Sequence, residues 1–184
     1  MKIFLKYFSL PLLIAVVASI LYVVDCFVGG LFVSGKGFMW VAFAYWTVFY
    51  GASIKERIQG FIGIIIGFIA AILMNLITAS FTLNIGTVSI SCLLGVFLLN
   101  GVVMYMNHAN KIWLNSVTGA FVGIFLTFSG LGVGLSPIAS VSESFLMLGI
   151  LLTYAILGLI CGFISITYQN KIKAKIEEIE TKNN

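Results

Sequence analysis

Six apolar segments, each about long enough to cross a lipid bilayer, fill almost the whole chain. They lie at residues 7–33, 37–54, 58–80, 85–106, 112–135 and 144–168. A helix rises about 1.5 Å per residue and the hydrocarbon core is about 30 Å thick, so about 20 residues complete one crossing. The sequence therefore predicts an all-α integral membrane bundle with about six transmembrane helices, forming one domain over residues 1–168.

The composition agrees with a chain immersed in lipid. Hydrophobic residues make up 61% of the sequence and charged residues only 9%, against about 25% charged in ordinary soluble domains. The sequence pI near 9.0 comes largely from lysines beside the predicted spans, where basic residues set orientation and meet anionic headgroups. We therefore expect the lipid bilayer as a partner and no binding of nucleic acid.

The basic residues also predict the orientation of the chain, because short basic loops stay on the cytoplasmic side. Only Lys36 falls on the opposite side of the predicted membrane. The basic residues on the predicted cytoplasmic side are Lys2, Lys6, Lys55, Arg57, Lys111, Lys171, Lys173, Lys175 and Lys182. Both termini are thus predicted to be cytoplasmic. Residues 169–184 form a charged tail, in which the sixth helix is expected to project by a turn or two before a partly disordered end.

Glycines recur four residues apart in three of the spans, a spacing that lets helix backbones approach closely in lipid. These predicted packing residues are Gly63 and Gly67, Gly119 and Gly123, and Gly158 and Gly162. The glycine faces are expected to make contacts within the bundle or between protomers. The alternative is that they line a pore, where backbone carbonyls would meet a solute.

Three spans carry motifs of glycine and aromatic residues that resemble a known family. The motifs are Trp40, Phe43, Thr47, Phe49 and Tyr50, then Gly119-Ala-Phe-Val-Gly123 with Thr127-Phe128-Ser-Gly130, then Leu157-Gly-Leu-Ile160 with Gly162. They resemble small bacterial inner-membrane proteins catalogued as domain of unknown function 1097. The resemblance implies a compact multi-span protein of the bacterial cytoplasmic membrane. It supplies no functional residues, and Asp25 and the basic tail lie outside its pattern.

Asp25 is the only carboxylate embedded in an apolar run. A charge at bilayer depth costs at least about 2.5 kcal/mol on insertion scales, so it usually marks a function. One hypothesis makes Asp25 a protonatable gate or a cation site. The other makes it a partly hydrated interfacial acid paired with Lys36, and the sequence favours this second interpretation because no other embedded acid could share a proton or a cation.

Uncharged polar residues complete the candidate solute path, which comprises Asp25, Asn75, Asn100 and Thr127. The two asparagines could contact a solute, but hydrogen-bonded clasps between helices are the simpler expectation. The Thr127 hydroxyl either meets a polar solute or bonds to a carbonyl of its own helix. Beyond it, Gly130, Gly132, Gly134 and Pro137 predict that the fifth span breaks near Gly130.

Enzymatic activity is not expected, because the sequence lacks paired acids, an activated serine and a histidine cluster. His108 is the only histidine, and Cys26, Cys92 and Cys161 each lie in an apolar run without a nearby ligand. Neither a cofactor nor a metal is predicted.

The chain is thus expected to be a small-solute channel or a component of a secondary transporter. The alternative is a non-transporting subunit that assembles, as a homo-oligomer or with another membrane protein, through its glycine-rich faces. Three predicted helices precede residue 82 and three follow it, so that any internal duplication would be inverted. The two halves show no convincing similarity residue by residue.

Overall fold

The computed structural model describes residues 8–81, 83–85, 88–109 and 117–182. Within these ranges the predicted all-α class is confirmed. The helices are α1 Ser9–Phe32, α2 Met39–Phe49, α3 Ile54–Ser80, α4 Ile90–Ala109, α5 Val117–Phe128 and α6 Val141–Lys182. Two short strands, β1 Asn84–Ile85 and β2 Val88–Ser89, pair in an antiparallel hairpin before α4.

The helices differ widely in length. Among the described residues, α1, α3 and α6 are long and apolar enough to span a membrane. Helix α2 has 11 residues, which at about 1.5 Å per residue gives it a length near 17 Å, so the prediction of a full-length second helix is wrong. The predicted start of the fifth span, at residue 112, lies outside the described residues. Six membrane crossings and cytoplasmic termini remain predictions.

Backbone conformation explains where α2 and α5 end. After α2, Gly51 has a φ of +73°, a left-handed conformation that glycine adopts without steric cost. After α5, residues Gly130, Leu131 and Gly132 have φ values of 61°, 54° and 68°. The predicted break near Gly130 is confirmed. Leu131 tolerates the left-handed conformation within a fully buried environment.

The connection between α3 and α4 also differs from the prediction, which placed the fourth helix from residue 85. Ile85 instead pairs with Val88 across the hairpin, because β-branched side chains favour extended backbone. Helix α4 begins at Ile90, and the Ser89 hydroxyl accepts a hydrogen bond of 3.4 Å from the Cys92 amide. Such a contact satisfies a free amide of the first helical turn.

Helix α6 continues to Lys182, well beyond the turn or two expected after residue 168. The segment from 169 onward contains no glycine or proline, the residues that most strongly interrupt helices. Lys173 and Glu177 stand four positions apart, and opposite charges at this spacing support an exposed helix. The tail is helical for these reasons rather than partly disordered.

Two pairs of helices pack closely through glycine, and each pair runs parallel. In the first pair, a Cβ added to Gly67 of α3 would lie 2.2 Å from the carbonyl oxygen of Ala120 in α5. In the second, a Cβ added to Gly158 of α6 would lie 2.6 Å from the carbonyl oxygen of Ala42 in α2. Since any side chain there would collide with backbone, only glycine permits these separations.

Candidate functional site

Asp25 lies two turns before the end of α1 and is only 6% exposed. Its Oδ1 atom accepts a hydrogen bond of 2.8 Å from the backbone amide of Phe38. The same oxygen accepts a hydrogen bond from the Tyr154 hydroxyl of α6. One carboxylate oxygen therefore joins α1 to the beginning of α2 and to the middle of α6.

Glycines let the α1–α2 connection reach this carboxylate. A Cβ added to Gly37 would stand 2.3 Å from Asp25 Oδ2, too close for any side chain to fit without a shift. A Cβ added to Gly29 would stand 2.5 Å from the carbonyl oxygen of Lys36. Without side chains at these two positions, the connection folds back along α1 and delivers the Phe38 amide to Asp25.

The Asp25 carboxylate of α1 lies beside the N-terminus of α2, and this has an electrostatic consequence. Phe38 immediately precedes α2 and its own side chain provides no cap. The first amides of a helix lack partners within the helix and carry a partial positive charge, which favours an anion nearby. Asp25 thus caps α2 from another helix.

Aromatic packing completes the cluster. The Phe38 and Tyr154 rings meet edge to face with their centroids 5.7 Å apart, and both side chains are fully buried. We call the set of Asp25, Gly29, Gly37, Phe38 and Tyr154 the Asp25 clasp. It fixes one end of the short helix α2 between α1 and α6.

The clasp differs from the interfacial acid that the sequence favoured. Lys36 is exposed, and among the described contacts no ion pair joins it to Asp25. A backbone amide and a tyrosine hydroxyl take the place of the expected lysine. Sequence reasoning missed Tyr154 because 129 positions separate it from Asp25 and no sequence pattern links the two residues.

The remaining candidate path residues do not join this cluster in any contact seen here. The Asn75 amide donates a 2.9 Å hydrogen bond to the Ala71 carbonyl of its own helix, rather than forming the expected clasp between helices. Thr127 is fully buried, and its hydroxyl has no hydrogen-bond partner. The expected bond to its own helix is therefore absent. The side chain of Asn100 lies outside the described residues.

Tyr45 is a further buried polar residue. Its side chain is fully buried, and its hydroxyl lacks a hydrogen-bond partner. Buried hydroxyls are rarely left unsatisfied in native structures. Tyr45 lies on α2 and Thr127 lies on α5.

The glycine faces lie inside the bundle. Gly67, Gly119 and Gly123 lie in the contact between α3 and α5, and Gly158 and Gly162 lie against α2. Gly63 is buried. Backbone atoms of neighbouring helices therefore occupy the space beside the glycines of both contacts.

The described residues contain no group of three or more His, Cys, Asp or Glu side chains that could hold a metal ion. A groove of about 260 Å³ lies between α1 and α2, lined by Ile14, Phe43, Trp46, Thr47 and Tyr50. This groove does not include Asp25 or Thr127, so it is separate from the candidate path.

Comparison with known proteins adds no relative. No family model, curated protein or solved structure matches the chain. The resemblance to domain of unknown function 1097 stays a prediction.

Proposed function

We propose that the protein is a small-solute channel, or a component of a secondary transporter, in the bacterial cytoplasmic membrane. The Asp25 clasp is its gate on the external side. When the clasp is closed, the start of α2 is fixed between α1 and α6. When it opens, α2 is free to move at that end.

The observation that carries this proposal is the burial of the Asp25 carboxylate with both of its donors on a single oxygen. An ionisable group inside a membrane protein is costly and usually belongs to a transport path or a switch. Here the group holds the end of a short helix, and short or interrupted helices often mark the binding site of transporters. Breaking two hydrogen bonds at one atom would release three helices together.

The rival role, a non-transporting subunit that assembles through its glycine faces, has less support. The backbones of neighbouring helices in the same chain cover the faces at Gly67, Gly119 and Gly158. A partner subunit would have to displace those helices to reach the glycines. Assembly through other surfaces would not involve the residues on which that role was based.

Reconstitution in liposomes tests the proposal. Purified protein should increase the flux of at least one small solute over that of empty liposomes, measured across a panel of ions, amino acids and polyols. The variant Tyr154→Phe keeps the ring and removes one donor from Asp25, so it should change the flux through a gate. Tyr22→Phe, at an exposed tyrosine of α1, is the matched control.

Two results would contradict the proposal. Transport is refuted if liposomes containing folded wild-type protein are no more permeable than empty ones to any solute in the panel. Alternatively, Tyr154→Phe and Tyr22→Phe could give identical fluxes, in which case the clasp is not the gate.

A further inference from the structure

Helix α5 packs against α3 in the same way as α2 packs against α6. Around Gly67 of α3, a Cβ would lie 2.2 Å from the carbonyl oxygen of Ala120 and 2.9 Å from the amide nitrogen of Ile124. Around Gly158 of α6, a Cβ would lie 2.6 Å from the carbonyl oxygen of Ala42 and 2.7 Å from the amide nitrogen of Trp46. In both dockings an alanine and the residue four positions later face the glycine.

A third contact extends this correspondence. Three residues after each alanine stand Tyr45 in α2 and Gly123 in α5. The Cβ of Tyr45 would lie 2.9 Å from a Cβ on Gly158, and a Cβ on Gly123 would lie 3.3 Å from the Cα of Gly67. The dockings thus share one register, although only the dipeptide Ala-Phe is common to the two sequences.

The arrangement of all six helices follows the same symmetry. Exchanging α1 with α4, α2 with α5 and α3 with α6 turns the α3–α5 contact into the α6–α2 contact. The same exchange turns the α1–α6 contact into the α4–α3 contact, and the α1–α2 contact into the α4–α5 contact. The α2–α5 and α3–α6 contacts are each unchanged by the exchange. Only the contact between α2 and α3 lacks a comparable counterpart, because the connection from α5 to α6 is much longer.

The contacts also give the direction of the two halves. Helix α2 runs parallel to α6, since Ala42 lies at Gly158 and Phe49 at Gly162. Helix α3 runs parallel to α5, and the short turn after Phe49 reverses the chain between α2 and α3. Helices related by the exchange therefore point in opposite directions, as in the inverted repeats of many transporters.

We propose that helices α1–α3 and helices α4–α6 form an inverted repeat, and that the solute path runs through the four central helices α2, α3, α5 and α6, with the Tyr45 and Thr127 hydroxyls as its polar contacts. This inference rests on the proposed function and specifies its path. Transporters of this architecture place their sites where the repeats meet, at short or interrupted helices in corresponding positions. Here α2 is short and α5 is interrupted at Gly130, and each carries a fully buried hydroxyl without a hydrogen-bond partner.

The central helices also define the class of solute. Helices α2 and α5 contain no charged residue, and neither do residues 58–80 of α3 or 144–170 of α6. A charged solute would lose its hydration without gaining a counter-charge, which costs several kcal/mol or more. The path therefore fits a small uncharged solute that forms hydrogen bonds, of the size of water, urea or glycerol.

Stopped-flow light scattering of proteoliposomes tests this assignment, with glycerol and urea as uncharged probes and potassium chloride as the charged one. Wild-type protein should accelerate the entry of an uncharged probe and leave the salt excluded. The substitutions Thr127→Val and Tyr45→Phe each remove one hydroxyl and should lower that rate by about three- to tenfold, the equivalent of one hydrogen bond. Thr47→Val is the control, because the Thr47 hydroxyl is exposed and bonds to the Ala44 carbonyl.

A second measurement does not depend on flux. In a cysteine-free background, Thr127→Cys should react with a small water-soluble thiol reagent, whereas Leu126→Cys, at an equally buried neighbour, should not. Equal protection of both cysteines would overturn the path, as would selective entry of the salt or unchanged rates in both hydroxyl variants. The proposed function would survive those results, since it fails only if no solute crosses or if Tyr154→Phe and Tyr22→Phe give identical fluxes.

Discussion

Gly37→Ala probes the Asp25 clasp with a single added methyl group. The new Cβ would lie 2.3 Å from Asp25 Oδ2, whereas ordinary contacts begin at 3.4 Å, so the loop or the carboxylate must move by about 1 Å. A shift of that size would stretch the hydrogen bond from the Phe38 amide to Asp25 from 2.8 Å to about 3.8 Å, well beyond the usual range of about 2.7–3.2 Å. The substitution should therefore break at least one bond to Asp25.

The size of the effect follows from the charge on the acceptor. A hydrogen bond to a charged group contributes about 1.5–3 kcal/mol, which corresponds to a fall in melting temperature of about 3–12 °C for a chain of this size. The assay is the temperature at which the purified protein loses its monodisperse peak after heating in mild detergent. Gly30→Ala is the control, because a Cβ at Gly30 would meet no atom within 4 Å.

A double substitution separates the clasp from simple strain in the loop. When Asp25→Ala removes the carboxylate, adding Gly37→Ala should cost little more, since the clash has gone. If Gly37→Ala melts at the same temperature as Gly30→Ala, or if its cost persists without the carboxylate, the account of the clasp is refuted.

Three further substitutions test the packing. Gly67→Ala should lower the free energy of unfolding by about 1–3 kcal/mol, because its Cβ would meet the α5 backbone. Gly101→Ala, at a glycine with open space around it, is the control and should be neutral. Equal melting temperatures of the two variants would show that α3 and α5 do not pack as described. Tyr154→Phe should cost about 1.5–3 kcal/mol through the lost bond to Asp25, and a wild-type melting temperature would exclude that bond. Thr127→Val should leave stability unchanged or higher, because the hydroxyl has no protein partner, so a clear loss would reveal a missed hydrogen bond.

Some of this fold follows from local sequence properties, and some does not. The long apolar segments of α1 and α3 and the glycines around Gly130 are local features of the sequence, so these helices and the break after α5 could be predicted. Helix α2 ends at the turn around Gly51, and α6 continues because no glycine or proline follows Gly162. Both features are visible in the sequence, but the predicted bounds of these helices followed the lengths of the apolar segments instead.

The clasp could not be derived in the same way. Asp25 stood out because charge is expensive in lipid, yet its partners are a backbone amide and a tyrosine from the far end of the chain. Neither has a sequence pattern that points to a carboxylate. The matched dockings are similarly hidden, because they depend on backbone contacts to Gly67 and Gly158 that different side chains can satisfy.

The inverted repeat and the external gate both require that α2 crosses the membrane. Only then do the two halves have opposite orientations in the membrane, with the Asp25 clasp on one side and the basic residues Lys55 and Arg57 on the other. Single cysteines at Ser34 and Ile54, both exposed, bracket this helix. In intact cells with a cysteine-free background, a membrane-impermeant maleimide should label Ser34→Cys directly and Ile54→Cys only after permeabilisation. Labelling of both positions from the same side would show that α2 does not cross, and would contradict the inverted repeat and the path through it.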